Sequence, residues 1–129
     1  MPLPTRIGRL RPPVLCFVVS REALKGADIE ESVSQAVAGG VTMVQLREPG
    51  AGAAELLELT RKLKAATRGR AILIVNDRID VVLAAEVDGV QVPENGLPTR
   101  AARGLIGRYN VIGRSVHDLD AAKNAIAEG

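Results

Sequence analysis

The sequence predicts an α/β fold in which five parallel strands alternate with five helices in one domain. Five short aliphatic runs each precede a stretch with helical periodicity, at intervals of roughly 20 to 35 residues. Aromatic residues make up only 2% of the 129 residues, so the core must consist of Val, Ile, Leu and Ala, which is typical of a parallel sheet beneath helices. Short loops between strands and helices favour right-handed crossovers.

The first β-α unit begins with an apolar run over residues 15–20, which predicts a buried strand. Asp28 then caps a helix, and Glu31, three residues later, completes a capping box. Gly39-Gly40 ends this helix, because glycine accepts the backbone conformation of a helix C-terminus. The apolar stripe of the helix consists of Ile29, Val33, Ala36 and Val37.

The next two units follow the same pattern. Residues 41–46 form the second predicted strand, and a loop framed by Gly50 and Gly52 leads into a long helix. Residues 71–75, nearly all aliphatic, form the third strand, and Asp77 opens a helix over residues 79–85. The apolar face of the long helix consists of Leu56, Leu59, Leu63 and Ala66.

The last two units are shorter. Residues 89–92 form the fourth strand, and Pro98 and Thr99 start a helix that runs to about Ile106. Residues 111–116 form the fifth strand. Asp118 caps a final helix that extends toward the end of the chain.

Two architectures accommodate five β-α units. An open, doubly wound sheet needs about five strands, whereas a (β/α)₈ barrel needs eight strands and typically about 250 residues. Length and periodicity alone favour the open sheet. The segment after Ser20 lacks a glycine-rich phosphate loop, so the sequence gives no support for dinucleotide binding.

Charge and composition limit the classes of partner. The formal net charge is +2, and arginines cluster near residues 6–11 and 100–108, either as a contact for nucleic acid or membrane or, as we prefer, as a solvated surface. One Tyr, one Phe and no Trp offer almost no platform for base stacking. We therefore predict a small-molecule ligand, with neither a nucleic-acid nor a membrane partner.

Three further expectations follow from the chain's apolar and reactive residues. No run reaches the roughly 18 apolar residues that a membrane helix needs, so we expect a cytoplasmic protein. Residues 1–13, rich in Pro and Arg, are predicted to form a flexible lead-in to a domain over residues 14–129. Cys16 is expected to be a small apolar core residue, with a nucleophilic role as the alternative.

Polar residues recur where the predicted strands end. Each has an ordinary explanation as a turn former or helix cap, and Asp77 and Asp118 could be N-caps only. However, the carboxyl ends of parallel strands form one rim, which is where α/β enzymes bind ligands. The sequence therefore predicts a site at this rim that includes Gln45, Arg47, Asn76, Gln91, Arg114, Ser115 and His117.

Three segments resemble, in order, consecutive parts of the thiamine phosphate synthase/TenI superfamily. They are VTMVQLREPG at residues 41–50, ILIVNDRIDVVLAAEVDGVQVPENGLP at 72–98 and VIGRSVHDLDAA at 111–122. The resemblance implies that the chain forms the first five β-α units of a TIM (β/α)₈ barrel, truncated before closure. About three further units would then follow, and the open edges of the partial barrel would favour self-association.

The superfamily has two main activities. Its synthases join hydroxymethylpyrimidine diphosphate to a thiazole phosphate with Mg²⁺ on the diphosphate, whereas some TenI-type proteins aromatise a thiazole phosphate carboxylate by moving a proton. For the synthases, the resemblance makes Asp77 a Mg²⁺ ligand, but Pro49 replaces a lysine that meets the diphosphate and Gly96 replaces the second acidic ligand. Glu94 is a hard oxygen donor that could substitute.

The segments GVQVPENG and IGRSVH look more like TenI, where the residue matching His117 shuttles the proton. Imidazole suits this role because its pKa lies near neutral pH. We therefore expect a thiazole tautomerase that needs no cofactor and binds thiazole phosphate, with phosphate-binding loops beyond Gly129. The alternatives are a Mg²⁺-dependent thiamine phosphate synthase and a non-catalytic partial barrel that serves as a binding remnant.

Overall fold

The computed structural model describes residues 7–129, which form one parallel sheet covered by helices on one face. The strands are β1 (Cys16–Val19), β2 (Met43–Leu46), β3 (Ile72–Asn76), β4 (Gly89–Val92) and β5 (Val111–Arg114). The helices are α1 (Ile29–Ala38), α2 (Ala53–Thr67), α3 (Ile79–Ala85), α4 (Thr99–Ile106) and α5 (Leu119–Glu128). All five predicted β-α units are therefore confirmed, with β1, β2 and β5 each two residues shorter than the predicted runs.

The order of the strands decides between the two architectures. The sheet runs β1-β2-β3-β4-β5, and each strand is parallel to its neighbour. Every helix packs beside the next helix in sequence, from α1 against α2 to α4 against α5. A doubly wound sheet instead reverses its strand order and carries helices on both faces. The chain is therefore five consecutive units of a (β/α) barrel, and the open-sheet alternative is wrong.

The two faces of the sheet bury different side chains. Alternate residues point outward to the helices or inward to the barrel interior, because successive side chains of a strand lie on opposite faces. The outward residues of β2 to β4 form the main core with the helices and are fully buried; they are Val44, Leu46, Leu73, Val75, Val90 and Val92. The inward residues include a smaller cluster of Ile72, Ile74 and Val111.

Strand β1 differs from the prediction that it is buried. Its burial alternates, since Val19 is 1% exposed but Val18 is 51% exposed. The reason is tertiary: β1 lies at an edge of the sheet and its inward face is uncovered. Cys16 is likewise exposed rather than a core residue. Neighbouring atoms still desolvate the thiol and raise the pKa of Cys16, which disfavours the reactive thiolate.

The helix ends show which capping predictions were correct. The carboxylates of Asp28 and Asp118 accept hydrogen bonds from the backbone amides of Glu31 at 2.8 Å and Ala121 at 2.7 Å, as N-caps do. The predicted capping box does not form. The Glu31 carboxylate accepts a hydrogen bond from Gln35 Nε2 at 2.7 Å instead of one from the backbone amide of Asp28. Gly39 ends α1 as predicted.

The described part of the predicted flexible lead-in makes specific contacts. A short 3₁₀ turn spans Ile7–Arg9, and the Arg9 guanidinium donates to the carbonyl oxygen of Gly69 at 2.6 Å. Leu10 packs against the inward cluster at the amino-terminal end of the strands. These contacts place Arg9 and Leu10 against the domain, whereas residues 1–6 of the predicted lead-in lie outside the described part of the chain.

Over residues 7–129, no helix is both long and apolar enough to cross a membrane. The longest helix there, α2, has 15 residues.

Candidate functional site

Three carboxamide side chains line the inward face of the sheet near the carboxyl ends of the strands. Asn76 in β3 pairs in register with Gln91 in β4. Gln45 in β2 pairs with Ile74, the inward-facing residue that precedes Asn76 in β3. All three carboxamides are partly exposed. Within residues 7–129, the carboxamides of Gln45 and Asn76 make no hydrogen bond with the protein, so their donors and acceptors remain for a ligand.

The positively charged side chain of Arg47 lies at the same rim. Arg47 follows β2 directly, donates its backbone amide to Val19 at 3.0 Å and has an exposed side chain. The nearby acidic residue Glu48 is already paired with Arg21, whose guanidinium also contacts Glu55 at 2.7 Å. Among the described residues Arg47 has no ion pair, which leaves its guanidinium for an anionic ligand.

Gln91 and Ser115 join the fourth and fifth strands at the rim. Gln91 Nε2 donates to Ser115 Oγ at 3.1 Å, and the Ser115 amide donates to the carbonyl oxygen of Val92 at 2.9 Å. Both side chains are partly buried. This pair and the residues Gln45, Arg47 and Asn76 together are called the rim site below.

Arg114 is not part of the rim site. It pairs in register with the buried Val92, so its side chain starts on the outward, helix-covered face. Its guanidinium donates to the backbone carbonyls of Leu97 and of Glu94, the latter at 2.8 Å. The structure therefore gives Arg114 contacts that hold the loop between β4 and α4, on the opposite face of the sheet from Gln45, Asn76 and Gln91.

His117 forms a close pair with an acidic residue of that same loop. Its Nδ1 lies 2.7 Å from Glu94 Oε2, and the two side chains are 72% and 58% exposed. A carboxylate at Nδ1 fixes which ring nitrogen carries the proton and leaves Nε2 for exchange with a ligand. From the sequence, Glu94 is a candidate only as a metal ligand, because nothing local shows that its loop turns toward the end of β5.

Asp77 is not the cap of α3 that the sequence predicted. The N-cap position belongs to Arg78, with no side-chain capping bond, and Asp77 has a left-handed φ of 61°. Its amide donates to the carbonyl oxygen of Gln91 at 2.8 Å. Arg78 instead pairs with Asp80 and holds the pKa of that carboxyl below its usual value. The exposed carboxylate of Asp77 therefore belongs to the rim and not to the helix cap.

The residues present fit a Mg²⁺ ion only in part. Asp77 could hold the ion, but the second position implied by the resemblance is Gly96. A Cβ atom at Gly96 would lie 2.9 Å from Val92 Cγ1 and 3.0 Å from Pro93 Cδ, so this turn is shaped for glycine. Over the described part of the chain, no three His, Cys, Asp or Glu residues cluster in a way that could hold a metal ion.

Comparison with known proteins shows consistent similarity. The chain matches the family described as thiamine monophosphate synthase over residues 15–129. It is 40% identical over 116 residues to the thiamine-phosphate synthase of Alkaliphilus oremlandii, and 40% identical over 116 residues to that of Clostridium acetobutylicum. Each alignment covers 89% of this chain. These names match the synthase alternative of the sequence analysis and not its preferred tautomerase.

A solved structure agrees with this similarity. The thiamine phosphate pyrophosphorylase from Pyrococcus furiosus superposes with a TM-score of 0.79 at 35% identity, over 90% of this chain and 56% of that one. The chain also spans only about half the length of the two relatives, 56% and 55%. With its strand order, its rim residues and a family match from residue 15 to residue 129, the chain belongs to the thiamine monophosphate synthase family.

Proposed function

We propose that the chain is the amino-terminal part of a thiamine-biosynthesis enzyme that joins a pyrimidine diphosphate to a thiazole phosphate. The family match and the names of the relatives support this reaction over the tautomerase. The observation that carries the proposal is the rim site, where the Arg47 guanidinium and the carboxamides of Gln45 and Asn76 have no partner among residues 7–129. Such donors bind a diphosphate and stabilise the charge that develops as it leaves.

In this reaction the chain's own residues bind and orient the diphosphate. Arg47 can give a planar, bidentate pair of hydrogen bonds to phosphate oxygens, which a lysine would provide only as a point charge. Mg²⁺, when bound, would neutralise part of the diphosphate charge, and Asp77 is the carboxylate that the resemblance assigns to hold it. Because Gly96 offers no side chain, we assign no step of the reaction to the ion.

A second candidate function is proton transfer on a thiazole phosphate carboxylate. The specific observation in its favour is the 2.7 Å contact between His117 Nδ1 and Glu94 Oε2. In this hypothesis His117 Nε2 gives and takes the proton, and Glu94 keeps the imidazole oriented and stabilises its protonated form. Pro49 and Gly96, where synthases carry charged residues according to the resemblance, also favour this candidate.

The variant Arg47→Gln tests the leading proposal. In the protein encoded by the complete reading frame, we expect it to lower kcat/KM for coupling by about 10- to 100-fold, since charge-assisted hydrogen bonds contribute about 1.5–3 kcal/mol each. Steady-state assays with both substrates and Mg²⁺ measure the effect. Arg61→Gln, an exposed arginine on α2, is the matched control and should leave kcat/KM unchanged.

Wild-type protein that turns over the thiazole carboxylate but never couples the two substrates would replace the leading proposal with the second. Protein that is well folded and inactive in both assays would favour the non-catalytic alternative.

Magnesium affinity provides a separate check. Because no three potential ligand residues cluster in the described part of the chain, we expect Mg²⁺ to bind the substrate-free protein with a Kd of about 1 mM or weaker, as at sites with few charged ligands. Isothermal titration of the wild type and of Asp77→Asn measures this affinity. Micromolar binding that disappears in Asp77→Asn would contradict the expectation and would show that Asp77 belongs to a complete metal site.

A further inference from the structure

Gly113 lies beneath a side chain of the rim site. It pairs in register with Gln91 across β4 and β5, and both positions face inward. A Cβ atom at Gly113 would overlap Gln91 Oε1 and lie 2.9 Å from Gln91 Cδ. The Gln91 carboxamide therefore occupies the space that any other residue at position 113 would fill.

This position sets the direction of the Gln91 carboxamide. Lying across Gly113, it reaches from β4 to the end of β5 and donates from Nε2 to Ser115 Oγ at 3.1 Å. A hydroxyl group has one donor and two acceptor sites. Because the Gln91 amide takes one acceptor site, the Ser115 proton remains available to point toward the open rim.

We propose that Gly113 is a positioning residue of the rim site, which acts through Gln91 to hold the Ser115 hydroxyl as a donor to a phosphate-type group of the ligand. The ligand class rests on the proposed function, in which both candidate substrates carry phosphate. The positioning itself rests only on the contacts among Gly113, Gln91 and Ser115.

The structure distinguishes this role from a purely steric requirement of the fold. At Gly89, the preceding inward position of β4, a Cβ atom would meet the backbone of Val111, with its carbonyl carbon at 2.8 Å. Backbone in a paired strand cannot yield without loss of the ladder, whereas the Gln91 carboxamide can rotate away. Gly113→Ala should therefore fold and displace one side chain, and Gly89→Ala should destabilise the sheet itself.

Kinetics of the complete protein test the coupling. We expect Gly113→Ala and Gln91→Ala each to lower kcat/KM by roughly two- to tenfold, the range for one hydrogen bond. The double variant should be no slower than Gln91→Ala alone, because Gly113 acts through Gln91. Fully additive losses, or no loss in Gly113→Ala, would overturn the proposal. Gly104→Ala in α4, where a Cβ atom meets nothing within 4 Å, is the matched control and should retain wild-type kcat/KM.

A measurement without ligand separates this proposal from the proposed function. The side-chain NH₂ resonances of Gln91, identified by their loss in Gln91→Ala, should shift in both Ser115→Ala and Gly113→Ala and stay unchanged in Gly104→Ala. Unshifted resonances in either rim variant would refute the positioning role even in an active enzyme. Shifted resonances in a protein that performs neither reaction would support the positioning role of Gly113 and contradict the proposed function. A Gly113→Ala protein that fails to fold would also contradict the argument, since Gln91 would then not have yielded.

Discussion

On its own, the 129-residue chain is expected to self-associate or aggregate at micromolar concentration instead of persisting as a monomer. Strands β1 and β5 each have a neighbour on one side only, so their outer backbone donors and acceptors are unpaired within the described sheet. A closed barrel has no such edges. Apolar side chains are exposed beside the β1 edge, where Leu15 is 58% and Val18 51% exposed. Such surfaces drive association between chains.

Sedimentation velocity over a range of concentrations measures this association. Val18→Lys should shift the chain toward monomer, because an inward-pointing charge on an edge strand opposes pairing with another chain. Leu83→Lys on α3, at a position 46% exposed on the helical surface, is the control and should leave the distribution unchanged. A compact monomer with a single cooperative melt would contradict the expectation and would mean that five units form a stable open sheet.

His117→Ala has the second large expected effect. If the complete protein performs the proton transfer, this substitution should slow turnover of the thiazole carboxylate by roughly 10²- to 10⁴-fold, the usual contribution of a general acid or base. Glu94→Gln should slow it less, because a glutamine oxygen can still accept from Nδ1 at the 2.7 Å contact but does not stabilise the imidazolium.

Single-turnover rates with the thiazole carboxylate measure both variants, and thermal unfolding provides the control. His117 is 72% exposed, so its removal should not change the melting temperature appreciably. Unchanged turnover in His117→Ala would remove the imidazole from the mechanism. It would also leave the His117–Glu94 pair with the structural role of fixing the loop after β4.

Much of the fold could be predicted from the sequence because its elements obey local rules. The aliphatic runs, the stripe that buries Leu56 and Leu63 in α2, and the caps at Asp28 and Asp118 depend on residues only a few positions apart. The resemblance of three ordered segments also predicted the barrel, which periodicity and length had not favoured. The strand order and the family match confirm it.

The sequence could predict which residues form the rim site, but not which face of the sheet each side chain occupies. Gln45, Asn76 and Gln91 come together because parallel strands end at one rim, which follows from topology. Arg114 lies on the outward face because it pairs across the strands with the buried Val92 of β4. The sequence does not give this register, so it could not show which face Arg114 occupies. A shift of one residue in register would exchange the two faces.

The sequence by itself therefore determined the five β-α units, their order along the chain and the types of polar residue at the strand ends. Only the tertiary structure decided that β1 is half exposed, that Asp77 leaves the helix cap, and that His117 meets Glu94. The physical reason is the separation along the chain over which the interactions act. Periodicity and capping act over a few residues, whereas edge exposure and contacts between loops depend on segments separated by 20 residues or more, as are Glu94 and Arg114.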